Sequence, residues 1–314
     1  MEYRQLGNSE LEVSEVGLGT WAMGNDFFGE VDDQESIGAI QMAIDNGINF
    51  IDTAPAYGDG HSEEVVGKAL KGRRDSVVLA TKCGVIRENG KFKINLEPDS
   101  VRQEIDDSLR RLDVDVIDLY QIHWPDEDTP IEKTLDPLLK AQEAGKFRYL
   151  GLSNFQPDQM DEVRALTDFV SLQPPYSLLK RNIEGGILPY CQQHDIGVVS
   201  YGTLAGGILT GKFKEIPEFE EGDHRDHFYK YFQEPTWSKV QKLLDVLREI
   251  AAERDVPVTQ IAINWATQQP GITTALVGAK NADQAKANAA AGDWKLSDEE
   301  RTQIAHAYQE IFGK

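Results

Sequence analysis

The sequence predicts an α/β fold of the (β/α)8 TIM-barrel type, with additional helices between the seventh and eighth strands and at the C-terminus. Three observations carry that expectation. Eight short apolar runs alternate with helical patterns along the 314 residues, a repeat that closes into a parallel barrel. Most of the runs are continuous rather than alternating, which suits strands covered on both faces. No GxGxxG stands anywhere in the chain, whereas an open doubly wound sheet would place a Gly-rich loop after an early strand.

The strands are expected at 15–19 (EVGLG), 48–52 (INFID), 77–81 (VVLAT), 115–123 (DVIDLYQIH), 147–153 (FRYLGLS), 170–173 (VSLQ), 197–201 (GVVSY) and 274–278 (TALVG). The first helix, 34–46, carries apolar side chains at helical spacing and stops before Gly47, a residue suited to a helix C-terminus. A second is expected at 62–70. The third, 99–112, follows Pro98 and sets Val101, Ile105, Leu109 and Leu112 on one face. Further helices are expected at 131–144, 157–167, 183–194 and 281–290. Between strands seven and eight lie two more, 237–254 and 258–268, split at Pro257. A last helix, 297–311, opens with Ser297 and Glu300 in a capping-box pattern. Residues 1–314 read as one domain without a linker. The longest irregular stretch, about 202–236, has the length that in a compact domain usually marks function.

Composition excludes several function classes. Hydrophobic residues at 40% and charged residues at 27% fit a globular chain. No apolar run reaches the roughly 18–20 residues of a membrane span. The start, MEYRQLGNSE, lacks the features of a secretory signal, so a cytoplasmic location is expected. The two cysteines, Cys83 and Cys191, form no disulfide framework or metal-ligand spacing. A net charge of −21 repels nucleic acid and anionic membranes, which leaves a small molecule as the expected partner. Any phosphorylated ligand would need a local basic pocket against that field.

In such a barrel, chemistry sits at the C-terminal ends of the strands. The second strand ends in Asp52, followed by Thr53, Ala54, Pro55, Ala56 and Tyr57; the third ends in Lys82 and the fourth in His123. A carboxylate, a phenol, an ammonium and an imidazole thus fall on neighbouring strand ends, and each alone would pass for a cap, a loop aromatic, a solvated lysine or a core histidine. Together they suit one reaction. Reducing a carbonyl needs hydride on carbon and a proton on oxygen. A phenol with its ordinary pKa near 10 is a reluctant acid. A nearby ammonium is expected to lower that pKa, and a carboxylate to hold the ammonium in place. A histidine donating to the carbonyl oxygen would stabilise the developing charge. Tyr57 is then the general acid in reduction and the general base in oxidation. No metal is expected, because His123 is the one histidine at a strand end and metal sites cluster such ligands.

The stretch INFIDTAPAYGDGHSEEVVGKAL resembles the signature of the aldo-keto reductases, LATKCG their lysine motif and DLYQIHWP their histidine motif. The likeness runs over nearly the whole chain. It is strongest to a bacterial branch similar to inositol-catabolism-associated reductases and to potassium-channel β subunits. The resemblance implies NADP(H) as cofactor, with NAD(H) as the alternative, and Asp52, Tyr57, Lys82 and His123 as the catalytic set. It also implies a nicotinamide site formed by Gly19, Thr20, Trp21, Asp52, Ser153, Asn154, Gln173 and Tyr201. Hydroxyl and amide groups there suit a carboxamide, which both donates and accepts.

The glycine-rich segment after strand seven, with Gly202, Thr203, Leu204, Gly207 and Lys212, sits where barrels bind phosphate. VGAKNADQAKAN resembles the adenosine motif and implies Gly278, Lys280, Gln284 and Asn288, with Lys280 toward the 2′-phosphate. Here the chain departs from many relatives: Gly278 stands where some have lysine, Gln284 where some have arginine and Ala287 where many have glutamate. The substrate is expected among Trp21, Tyr57, His123 and Trp124, with Phe27, Phe28, Tyr229 and Phe232 nearby, in a largely apolar pocket. A second reading, a cofactor-binding redox sensor resembling the channel β subunits, shares the fold and the cofactor site but not turnover.

Overall fold

A computed structural model of the chain describes every residue except Asn89, Glu221 and Lys314. Eight strands form a closed barrel: Val16–Gly19, Phe50–Asp52, Val78–Cys83, Ile117–Ile122, Phe147–Ser153, Ser171–Gln173, Gly197–Ser200 and Thr274–Gly278. They follow one another around the barrel in chain order, and every neighbouring pair is parallel. Each overlaps the run expected for it. The third is the informative difference. It continues to Cys83, so Lys82 lies within the strand, in register with Gln121 of the fourth.

The expected helices are present, with small shifts at their ends. Pro98 opens the helix Pro98–Leu112, where its missing N–H costs nothing. Ser297 and Glu300 cap Asp298–Phe312 reciprocally: each side chain accepts the other's backbone N–H. The helix expected from 183 begins only at Ile187, because Gly185 and Gly186 disfavour a helical start upstream. Among the described residues no helix is long and apolar enough to cross a membrane.

Two hairpins go beyond the expected elements. Strands Tyr3–Gln5 and Glu12–Ser14 pair antiparallel across the N-terminal end of the barrel. Their Leu6, Leu11 and Val13 are buried in one cluster with Phe50, Leu119, Val199 and Leu276 from the barrel interior. Gly7 makes that approach possible: its φ is +56°, and a Cβ there would stand 2.2 Å from the carbonyl oxygen of Val170. The opposite, C-terminal rim carries the second hairpin, Val85–Glu88 with Lys91–Ile94, directly after strand three.

If the N-terminal hairpin is part of the core, Leu6→Ala should lower the unfolding free energy in urea by about 2–5 kcal/mol. A loss below about 1 kcal/mol would show that the hairpin merely rests on the barrel.

Candidate active site

The centre of the rim is a buried ion pair. Lys82 Nζ donates to Asp52 Oδ1 at 2.6 Å, to the carbonyl of Thr53 at 2.9 Å and to Tyr57 Oη at 3.2 Å. Three acceptors thus engage three N–H groups. Both side chains are withdrawn from water, Lys82 at 0% and Asp52 at 2% exposure. Asp52 Oδ2 accepts from Gln121 Nε2 at 3.1 Å and from Gln173 Nε2 at 2.9 Å. The charges are therefore paired and hydrogen-bonded, the condition under which burial is tolerated. Sequence reading missed Gln121. Its one signal is a polar amide in the middle of a fully buried strand.

Around this pair the protein shifts three ionisations. The Tyr57 phenol is held well above its usual range, first by burial and then by the carboxylates of Asp52 and Asp26. This reverses the expectation that Lys82 would make it more acidic. Burial disfavours the phenolate, and Asp52 is close enough to offset the ammonium. Burial also lowers the Lys82 ammonium, against the pull of Asp52. His123 is held well below the usual imidazole range by burial and by Lys82, so it is neutral. Its ring stands at 84° to that of Tyr57, with centroids 6.1 Å apart, and its backbone N–H is fixed by the carbonyl of Cys83 at 2.9 Å.

Two cavities meet at Tyr57. The first, about 480 Å³, takes in Trp21, Phe27, Tyr57, His123, Trp124, Ser153 and Asn154. It also takes in Phe92 and Ile94 from the rim hairpin and Phe228 from the long loop, none of which sequence reading singled out. The hairpin does have a signal: Asn89-Gly90 between alternating apolar residues, a strong turn dipeptide. The second cavity, about 470 Å³, takes in Gly19, Asp52, Gly202, Thr203, Leu204, Gly207, Lys212, Gly278, Lys280, Gln284 and Asn288. Trp21, Tyr57, Gln173 and Tyr201 face both.

Some expected residues lie elsewhere. Thr20 faces neither cavity; its hydroxyl donates to the carbonyl of Asp52 at 3.0 Å and accepts from Ser62 Oγ at 2.8 Å. Phe232 is buried at 2% exposure against Phe213 and Phe219. Phe28 and Tyr229 face the second cavity, not the first. Ser153 and Asn154, expected at the cofactor, line the first cavity and not the second; Asn154 Nδ2 donates to the carbonyl of His123 at 3.1 Å, and Oδ1 accepts from the hydroxyl of Tyr201, which faces both, at 3.0 Å.

The second cavity is basic in a strongly acidic chain. Lys212, Lys280 and Arg225 all face it, and each lysine is held below its ordinary pKa by burial and then by Arg225. Arg225 is the cation that sequence reading missed, since a four-residue helix, Arg225–Phe228, is too short to give a periodic signal. Asp223 grips its guanidinium with both carboxylate oxygens, while Arg225 Nη1 donates to the carbonyl of Gly206 at 3.2 Å. The same loop reaches the one after strand one. Asp223 bridges to Phe28, His224 N–H donates to the carbonyl of Phe27 at 2.9 Å, and Lys280 Nζ donates to that of Phe28 at 2.6 Å.

Residues 15–309 match the model of the aldo/keto reductase family. The chain belongs to this family. It is 41% identical over 307 residues to the aldo-keto reductase YhdN of Bacillus subtilis, covering 97% of this chain and 92% of the relative. Among solved structures it is similar to a glycerol dehydrogenase from Gluconobacter oxydans, with a TM-score of 0.90, 38% identity and coverage of 99% and 96% of the two chains. It is similar too to an aldo/keto reductase from Klebsiella pneumoniae in complex with NADP and acetate, with a TM-score of 0.76, 31% identity and coverage of 96% and 94%. The family fits the geometry just described, a barrel rim with a phenol between an apolar cavity and a basic one.

Breaking the buried pair should be costly. Lys82→Met leaves the Asp52 carboxylate uncompensated and should destabilise the protein by about 3–5 kcal/mol in denaturant titration. Asp52→Asn combined with Lys82→Met should recover much of that loss. A double variant no more stable than Lys82→Met would contradict the pairing.

Proposed function

We propose that this protein is an NADP(H)-dependent oxidoreductase that reduces aldehyde or ketone carbonyls to alcohols, reversibly, with Tyr57 as the proton donor. One observation carries the reading: a protonated phenol, bonded to a buried ammonium and flanked by a neutral imidazole, stands where an apolar cavity meets a basic one.

The basic cavity fits a phosphorylated dinucleotide. Lys212, Arg225 and Lys280 supply positive charge. Gly202, Gly206 and Gly207 line the cavity with positive φ of 72°, 71° and 89°, and the lack of side chains there lets a ligand approach the main chain; the Gly207 N–H itself is taken by the carbonyl of Leu204 at 2.9 Å. Ser153, Asn154, Gln173 and Tyr201 would hold the carboxamide end. The NADP-bound relative from Klebsiella pneumoniae supports the choice of NADP(H). Arg225 adds to it, because it provides a cation where Gly278 and Gln284 replace the lysine and arginine of some relatives. When bound, the nicotinamide supplies the hydride.

The residues do the rest. A carbonyl oxygen placed between Tyr57 and His123 receives a hydrogen bond from the neutral imidazole, which also orients it. Tyr57 donates its proton to that oxygen as the charge develops. Lys82 then stabilises the phenolate through the 3.2 Å contact, and Asp52 keeps the ammonium aligned. The walls of Trp21, Phe27, Phe92, Ile94, Trp124 and Phe228 exclude water and favour carbonyl compounds with apolar substituents. The cavity of about 480 Å³ suits a small-molecule substrate.

Turnover of a panel of aldehydes and ketones with NADPH and NADH tests the function. Oxidation of NADPH dependent on carbonyl compound is expected; no turnover above background with any substrate would favour the sensor reading. Tyr57→Phe should bind NADPH normally by fluorescence titration and lose kcat by roughly 10³-fold or more; near-normal kcat would refute its role.

Arg225→Ala and Lys280→Ala should each raise KM for NADPH by about 10-fold or more and change that for NADH little. Equal effects on both would remove these residues from the 2′-phosphate.

Reduction requires Tyr57 protonated, a state present below its folded pKa and lost only above it. With that pKa raised and His123 neutral, kcat for reduction should stay level from about pH 6 to 8, while alcohol oxidation rises with pH. A loss of reduction across that range would contradict the assignment.

A further inference from the structure

Three segments of the rim meet at one ion pair that lies outside both cavities. Asp26 lies in the loop after strand one. Gly58 follows Tyr57 in the turn after strand two. Arg87 stands in the rim hairpin after strand three. Asp26 Oδ2 accepts the backbone N–H of Gly58 at 3.1 Å and also pairs with Arg87 Nη2. The carboxylate is 15% exposed and the guanidinium 27%, so this is not a water-screened surface pair of little consequence. The guanidinium lies over Phe92, 4.5 Å from the ring centroid, and Phe92 is its partner across the hairpin.

The joint is also tight in the backbone. A Cβ on Gly24 would lie 2.6 Å from the carbonyl carbon of Tyr57, and one on Gly58 would lie 2.0 Å from the oxygen of Gly24. Gly58 has φ of +66°, a conformation that side chains rarely adopt. The loop and the catalytic turn therefore touch main chain to main chain. Both apolar walls hang from the same pair, with Phe27 next to Asp26 in sequence and Phe92 under Arg87.

We propose that Asp26, locked by Arg87, is a positioning residue for Tyr57: it fixes the turn that carries the phenol and ties it to both walls of the substrate cavity. Neither Asp26 nor Arg87 faces either cavity, so the pair acts through Tyr57, on the reading that Tyr57 is the proton donor. Its charge matters along with its geometry. The Asp26 carboxylate joins burial and Asp52 in keeping the phenol protonated. The other groups facing Tyr57 are Lys82 and His123 on the neighbouring strand ends and the phenols of Tyr201 and Tyr229 across the cavity.

The test is the pH profile of alcohol oxidation by the NADP+-loaded enzyme, for wild type, Asp26→Asn and Arg87→Met. Melting curves and cofactor titration establish that each variant is folded and loaded. Asp26→Asn keeps an acceptor for the Gly58 N–H but removes the charge. Its kcat should fall about 10-fold through misalignment, and the pH of half-maximal rate should drop by about half a unit or more. Arg87→Met leaves the carboxylate uncompensated, so the midpoint should rise. Shifts of opposite sign support the proposal. Unmoved midpoints, or shifts of one sign, in folded and loaded variants overturn it.

Should Arg87→Met not fold, Arg87→Lys keeps the charge without the fork. It should lower kcat at an unchanged midpoint, and an unchanged kcat would overturn the positioning role. A wild-type enzyme inactive toward every alcohol and carbonyl compound would instead sink the oxidoreductase reading, a distinct result.

Discussion

Everything at the rim depends on one constraint: a lysine ammonium buried at zero exposure needs its charge matched within the barrel. Lys82 lies within strand three, so its side chain projects inside the closed sheet, where water does not reach it. Asp52 on strand two meets it at 2.6 Å, and Gln121 and Gln173 take the other carboxylate oxygen. Strands two, three, four and six are thereby tied through polar groups in an otherwise apolar interior. Isolated, such a pair often fails to repay its desolvation. Here it gives Tyr57 a fixed cationic neighbour without releasing the proton from the phenol, because the ammonium is shared with a carboxylate.

The same economy of charge governs the two cavities. The chain carries a net charge of −21, a field that disfavours any phosphate. Against it, Lys212, Arg225 and Lys280 gather on one side of Tyr57, where burial strengthens their interactions. The other side is walled by aromatic and aliphatic groups. Tyr57 stands between the two, and on the proposed function it separates the dinucleotide from the carbonyl compound. The loops after strands one and seven, joined by the Phe28–Asp223 bridge, roof the basic side, while the hairpin after strand three walls the apolar one.

The barrel is legible in the sequence because a parallel strand buried on both faces must be a continuous apolar run, and eight such runs stand between amphipathic segments. Asp52, Tyr57, Lys82 and His123 are legible because barrel topology converts adjacency of strands into convergence of strand ends. What escapes the sequence has a different cause. Gln121 and Arg225 owe their placement to contacts 69 and 19 residues away along the chain, which no local pattern encodes. Asp26 and Arg87 read as ordinary loop charges until the fold brings them together, 61 residues apart. Phe232 shows the converse: an aromatic in a rim loop is as ready to fill the loop's own core as to line a site. The acidity of Tyr57 turns on burial outweighing a neighbouring cation, a balance that residue identities alone do not express.

Single-turnover reduction followed in a stopped-flow instrument, in H2O and in D2O, with NADPH bound and benzaldehyde as substrate, interrogates the phenol directly. If Tyr57 delivers the proton as the carbonyl is reduced, the wild-type rate should be slower in D2O, and the residual rate of Tyr57→Phe should lose that solvent dependence. A fast wild-type turnover insensitive to D2O, or the same sensitivity in Tyr57→Phe, would mean that the proton comes from elsewhere.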